Sequence, residues 1–138
     1  MTASALRSLV IARLAALTSP TLVVEQGIEL DADTLADRTC VVTAGLPDRW
    51  YVTTEDRWHR IALGVDVYYT DAGTAGIDRA LDDATAIQDA LIDLAADTAQ
   101  ILSIEYDPGG GRLSPVAAVP GVLLASRRFD VVFLREDT

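Results

Sequence analysis

Residues 61–76 read IALGVDVYYTDAGTAG and run directly into IDRALDDATAIQDALIDLA, residues 77–95. Within 61–69 the alternation is strict. Ile61, Leu63, Val65, Val67 and Tyr69 fall on one side, and Ala62, Gly64, Asp66 and Tyr68 on the other. That period of two marks a strand with one buried face. From Ile77 the period lengthens to three and four residues. Ile77, Leu81, Ala84, Ile87, Leu91 and Leu94 line one side of a helix, and Asp78, Asp82, Asp89, Asp93 and Asp97 the other. The pair predicts a sheet centred on Leu63, Val65 and Val67, lying beneath Leu81, Ile87, Leu91 and Leu94.

A glycine-bearing turn between a strand and a helix raises the question of a nucleotide, because backbone amides and the helix dipole at such a turn attract phosphate. The residues argue otherwise. A P-loop needs a lysine, and the chain has none. A dinucleotide fingerprint needs three glycines, whereas this turn supplies Gly73 and Gly76, and Asp78, Asp82 and Asp83 follow with repelling charge. The expected role of the glycines is a tight turn, with Asp78 complementing the positive end of the helix.

Outward from this unit, Leu6, Leu9, Val10, Leu14 and Leu17 predict a short N-terminal helix stopped at Thr18-Ser19-Pro20. TLVVEQ reads as a strand, GIELDADTLAD as an acidic solvated connection, and CVVTAG as another strand before a turn at Leu46-Pro47-Asp48. ILSIEY and VLLASRRFDVVFLRE are strands, the latter with Phe129, Val131 and Phe133 on one face. Between them EYDPGGGRLSPVAAVPG, about 105–121, reads as a flexible excursion, too rich in Pro and Gly for a core strand. The expectation is one α+β domain over 1–138: a mainly antiparallel sheet of four to six strands with two helices packed on one face.

The chain has 138 residues, about the size at which a single core is the norm. No apolar run reaches the roughly 18 residues of a membrane span, and the start lacks the pattern of a secretory signal. Cys40 is the single cysteine and has no internal disulfide partner, so folding in a cytoplasm is expected. A net charge of −10 opposes binding to nucleic acid or anionic lipid, whose affinity rests on basic contacts. All eleven basic residues are arginine.

Residues that could carry chemistry are sparse. LDADTLAD resembles the start of a calcium loop, but Ala36 and Val42 stand where that loop requires glycine and glutamate. One histidine, His59, and one cysteine cannot form a zinc site of several such ligands. No G-x-S-x-G elbow is present. No catalytic residue, metal or cofactor is assigned. The segment around Trp50, Arg57, Trp58 and Arg60 gathers both tryptophans with arginines, residue types favoured at protein interfaces. It reads either as an interface anchor or as a cap on the core edge. Arg112 follows three glycines, in a segment that is either a hairpin tip or a loop that orders on assembly. The acidic stripe at Asp82, Asp89 and Asp93 offers a complementary charge.

The strings CVVTAGLP, DRWHRIALGVDVYYTD leading into a helix, and SRRFDVVFLRE, in that order after a short N-terminal helix, resemble the tail terminator and head-tail joining proteins of long-tailed bacteriophages. The resemblance implies a non-enzymatic virion subunit made in the host cytoplasm. It implies a hexameric self-assembled ring on the tail tube that stops tube growth and meets a neck or head-completion protein. DNA would pass through such a ring without tight binding, as an acidic wall allows. The alternatives are a neck or connector protein of the same assembly, or a small acidic binding module or enzyme with a hidden site.

Overall fold

The computed structural model of the chain describes residues 1–18, 22–25, 35–49 and 58–135. Helix α1, Ala3–Ala15, starts where the Thr2 side chain accepts a hydrogen bond from the Ala5 amide at 3.0 Å, the usual way of satisfying an orphan donor at a helix start. It buries Leu6, Val10 and Leu14. Strands β1 (Val23–Glu25) and β2 (Thr39–Ala44) follow, then the two-residue β3 (Asp48–Arg49) and the long β4 (Trp58–Tyr69). Helix α2 spans Thr74–Asp97, and β5 (Ile101–Pro115) and β6 (Leu123–Leu134) complete the domain.

The strands form one six-stranded sheet in the order β1-β2-β4-β6-β5, with β3 beside β4. Among the described residues only β1 and β2 run parallel, and the other pairs are antiparallel. The expected α+β class, with two helices and a sheet within the expected four to six strands, is therefore found. On β4 the alternation holds to the end of the strand and begins earlier than the sequence pattern suggested: His59, Ile61, Leu63, Val65, Val67 and Tyr69 are all buried. Both helices contribute to the same core cluster as this face, α1 over the β1–β2 side and α2 over β4, β5 and β6. The helices also meet each other, where Arg13 pairs with Asp97 at 3.2 Å.

Two sequence expectations change. The buried side of α2 is Gly76, Ala80, Asp83, Ile87, Ala90, Leu91 and Leu94. Ile77 and Leu81 lie outside it, and Leu81 is 58% exposed. The first half of the helix is thus rotated relative to the apolar stripe, because a carboxylate with partners, Asp83, takes the inward position. The second change concerns 105–121. Residues 105–115 are not a loop but the second half of β5, paired to β6 from Ile101↔Phe133 to Pro115↔Leu123. The glycine run is accommodated as a bulge: the register jumps from Asp107↔Arg128 to Arg112↔Ser126, so that residues 108–111 lie opposite Arg127 alone. A Cβ on Gly111 would sit 2.3 Å from the Tyr106 hydroxyl, which explains glycine there. Only 116–122 forms the turn, closed by the Val116 amide donating to the Val122 carbonyl at 2.9 Å.

Candidate functional site

The turn after β4 is built from the protein's own carboxylate. Asp71 accepts a hydrogen bond from the Gly73 amide at 2.8 Å, at the cap of α2. The carboxylate closes the turn into the helix and puts a negative charge beside its start, which disfavours a phosphate there. It is Asp71, not Asp78 as the sequence suggested, that stands at the helix start. Gly76 is fixed by packing: a Cβ there would lie 1.7 Å from the Asp71 carbonyl oxygen. The glycine pair builds the fold.

Behind this turn lies a buried polar cluster. The Tyr69 hydroxyl donates to Asp83 at 2.8 Å, and Asp83 is 4% exposed. Arg38 reaches the same carboxylate at 3.2 Å. Arg38 holds φ at 62°, a left-handed conformation uncommon outside glycine, as the chain turns into β2. Beside it Asp37 accepts from the Thr70 amide at 3.0 Å and pairs with Arg79. Burial pushes the Asp37 carboxyl up, but the Thr70 amide and the Arg79 guanidinium outweigh it and leave the group below its ordinary value. Burial, then the Asp83 bond, pushes the Tyr69 phenol well above its ordinary range. The buried Tyr69–Asp83 bond fastens the end of β4 to α2. The end of the acidic connection is thus pinned to the β4–α2 turn; residues 27–34 of that connection lie outside the described residues.

The other reactive types are similarly enclosed. Cys40 is fully buried, and burial followed by the Asp66 charge pushes its thiol up to about 12, far from a reactive thiolate. His59 is buried against Phe133, ring centroids 6.1 Å apart. Among the described residues no group of three or more His, Cys, Asp or Glu is placed to hold a metal ion.

The interface candidates are dispersed. Trp50 and Arg57 lie outside the described residues. Trp58 is half-buried at the start of β4, and Arg60 is exposed on the face of the sheet away from the helices, paired with Asp130 at 2.8 Å. Asp82, Asp89 and Asp93 project from the outer side of α2. Arg112 is exposed on β5, at the opposite edge of the sheet from β1. Among the described candidates, Trp58 and Arg60 share β4, while Arg112 and the α2 aspartates stand on other elements.

It does open a groove the sequence did not single out. Between α2 and the β5–β6 hairpin, Leu81, Ala84, Tyr106, Leu113 and Ala125 line a shallow depression of about 270 Å³ with Arg112 at its rim. Arg127 forms its floor, donating to the Ala84 carbonyl and to Gln88 and lying 4.2 Å over the Tyr106 ring. The sequence signal was Leu113 beside Arg112 in a stretch otherwise read as a loop. The volume is below the range of about 300–1,000 Å³ typical of small-molecule sites, and the groove is open.

No family model matches the chain, and no curated protein does. Among solved structures, a chain from the "Virion of native gene transfer agent (GTA) particle" is similar, with a TM-score of 0.66 at 17% identity. The match shows a shared fold. It covers 97% of this chain and 99% of the other, so the likeness is not confined to a part of either.

Proposed function

We propose that this chain is a structural subunit of a phage-like particle, forming a ring at the head-proximal end of the tail tube that ends tube growth and joins the head. The observation that carries the proposal is the end-to-end fold likeness to a chain of a gene transfer agent virion. The sequence strings CVVTAGLP, DRWHRIALGVDVYYTD and SRRFDVVFLRE, which resemble tail terminators, support the finer role. They fall on β2 with its following corner, on β4 with residues leading into it, and on β6, the strands at the middle of the sheet. The chemistry agrees with a subunit that works by contact: among the described residues the buried Asp83 is engaged by Tyr69 and Arg38, and Cys40 is held far from a thiolate, which leaves surface patches as the candidates. In a ring each subunit meets its neighbour through two different patches. Trp58, Arg60, Arg112 and the Asp82, Asp89, Asp93 stripe supply the candidates, on separate parts of the surface.

The test is deletion of the gene from its particle-producing host, with complementation. Without the chain, electron micrographs should contain tails of uncontrolled length lacking heads; complementation should restore normal particles, with an epitope label on the chain at the head-tail junction. Normal particles in the deletion strain, or label elsewhere on the particle, would overturn the reading.

A further inference from the structure

The most exposed large apolar residue among those described is Leu46, 91% exposed in the corner Leu46-Pro47-Asp48 between β2 and β3. Pro47 beside it is exposed as well, so the corner presents a small apolar knob to solvent. The groove between α2 and β5 is a hole without a knob: Leu81 is 58% and Leu113 38% exposed at its walls. The two lie on opposite flanks of the molecule. β2 and β3 both pair on one side of β4, whereas β6 and then β5 lie on the other. A subunit cannot fill its own groove, but a second copy can.

Charge selects the same pairing. Asp48, next to the knob, is exposed and makes no ion pair among the described residues, and the same holds for Arg112 at the rim of the groove. A second apolar depression, beside α1 at Ala5, Ser8 and Leu9, carries the Met1 ammonium on its lining, but that group already donates to the Leu134 carbonyl at 3.2 Å. We propose that the Leu46-Pro47-Asp48 corner of one subunit seats in the α2–β5 groove of the next copy, with Leu46 against Leu81 and Leu113 and Asp48 against Arg112. The contact joins two different patches, so repetition runs head to tail and closes into a ring or continues as a filament. The inward rotation of Asp83 leaves Leu81 outward, and the bulge at 108–111 ends where Arg112 and Leu113 begin; both local departures shape the groove. The contact deepens the ring reading above and rests on it for its place in a particle.

Cysteine cross-linking tests it, with the buried Cys40 as a silent background. Leu46→Cys and Leu113→Cys are prepared separately and oxidised at the highest soluble concentration, alone and as an equimolar mixture. The mixture should yield a dimer containing one of each variant, several-fold above the yield of either alone, and the double variant should yield a ladder of linked subunits. Equal yields in mixture and single samples, or no dimer, would overturn the contact. A second, independent measurement uses charge: Asp48→Arg and Arg112→Asp should each abolish the self-association seen by sedimentation, and the double variant should restore it. Loss without restoration, or association indifferent to all three variants, would overturn it as well. Particles of normal form assembled with Leu46→Asp protein would overturn the contact while leaving the ring reading intact; a chain absent from the particle would defeat the ring reading itself.

Discussion

Leu91 and Leu81 sit ten residues apart on one helix and belong to different environments. Leu91 is fully buried in the cluster with Ile87, Leu94 and the inner face of β4, so Leu91→Ala should cost about 2–5 kcal/mol in urea unfolding, the range of buried leucine truncations. Leu81 is mostly in solvent, and Leu81→Ala should change stability by less than about 0.5 kcal/mol. Equal losses at the two positions would contradict the rotation of the helix described above. Gly76 provides a sharper sign test. Alanine is preferred over glycine in a helix by about 1 kcal/mol, so propensity alone makes Gly76→Ala stabilising. The Asp71 carbonyl lies where the new methyl must go, so the substitution should instead lower the urea midpoint.

At the scale of elements, the polar contacts act as fasteners between segments distant in sequence. Asp37 ties the entry to β2 to Thr70 and Arg79, at the start of α2. Its folded-state pKa is depressed, so its contribution to stability is present above the unfolded value of about 4 and is lost as pH falls through the lower folded value. Asp37→Asn should therefore lose stability at neutral pH and show a shallower decline between pH 5 and 3 than the parent protein. Identical pH profiles in chemical denaturation would remove Asp37 from that role. The β4–α2 unit was legible because its two periods, two and then about 3.6, are properties of contiguous residues. The buried Asp83 was not, since its partners Tyr69 and Arg38 come from other elements and a carboxylate's own identity points to the surface. Residues 105–115 read as part of a flexible excursion for a similar reason. Glycine and proline disfavour a strand locally, yet β6 supplies a ladder of partners that overrides the preference, and the bulge absorbs the residues that do not fit. The groove beside α2 depended on both of these unread features, so only Arg112 at its rim was marked from the sequence.

For the whole molecule, charge bears on the proposed passage of DNA. The chain carries 21 acidic residues against 11 arginines, a net charge of −10. Several of the arginines are committed internally: Arg13, Arg38, Arg60 and Arg79 pair with Asp97, Asp83, Asp130 and Asp37. Arg127 is turned inward onto Ala84, Gln88 and Tyr106. These side chains are held by partners that a phosphate would have to displace. The acidic stripe at Asp82, Asp89 and Asp93 meanwhile faces outward with its charge exposed. Affinity for duplex comes chiefly from basic groups that release counterions, and an acidic surplus opposes the approach of the phosphate backbone. A ring of such subunits would let DNA pass without gripping it. The purified protein is accordingly expected to leave random double-stranded DNA unshifted in a gel at physiological salt. Submicromolar binding there would be tighter than typical non-specific binding, about 10⁻⁴–10⁻⁶ M, and would rule out the non-gripping channel. Salt separates the remaining explanations: a weak shift seen only at low ionic strength and abolished by Arg112→Glu and Arg128→Glu together would trace it to the exposed arginines of the β5–β6 hairpin. Such screened contacts permit sliding, and so agree with passage.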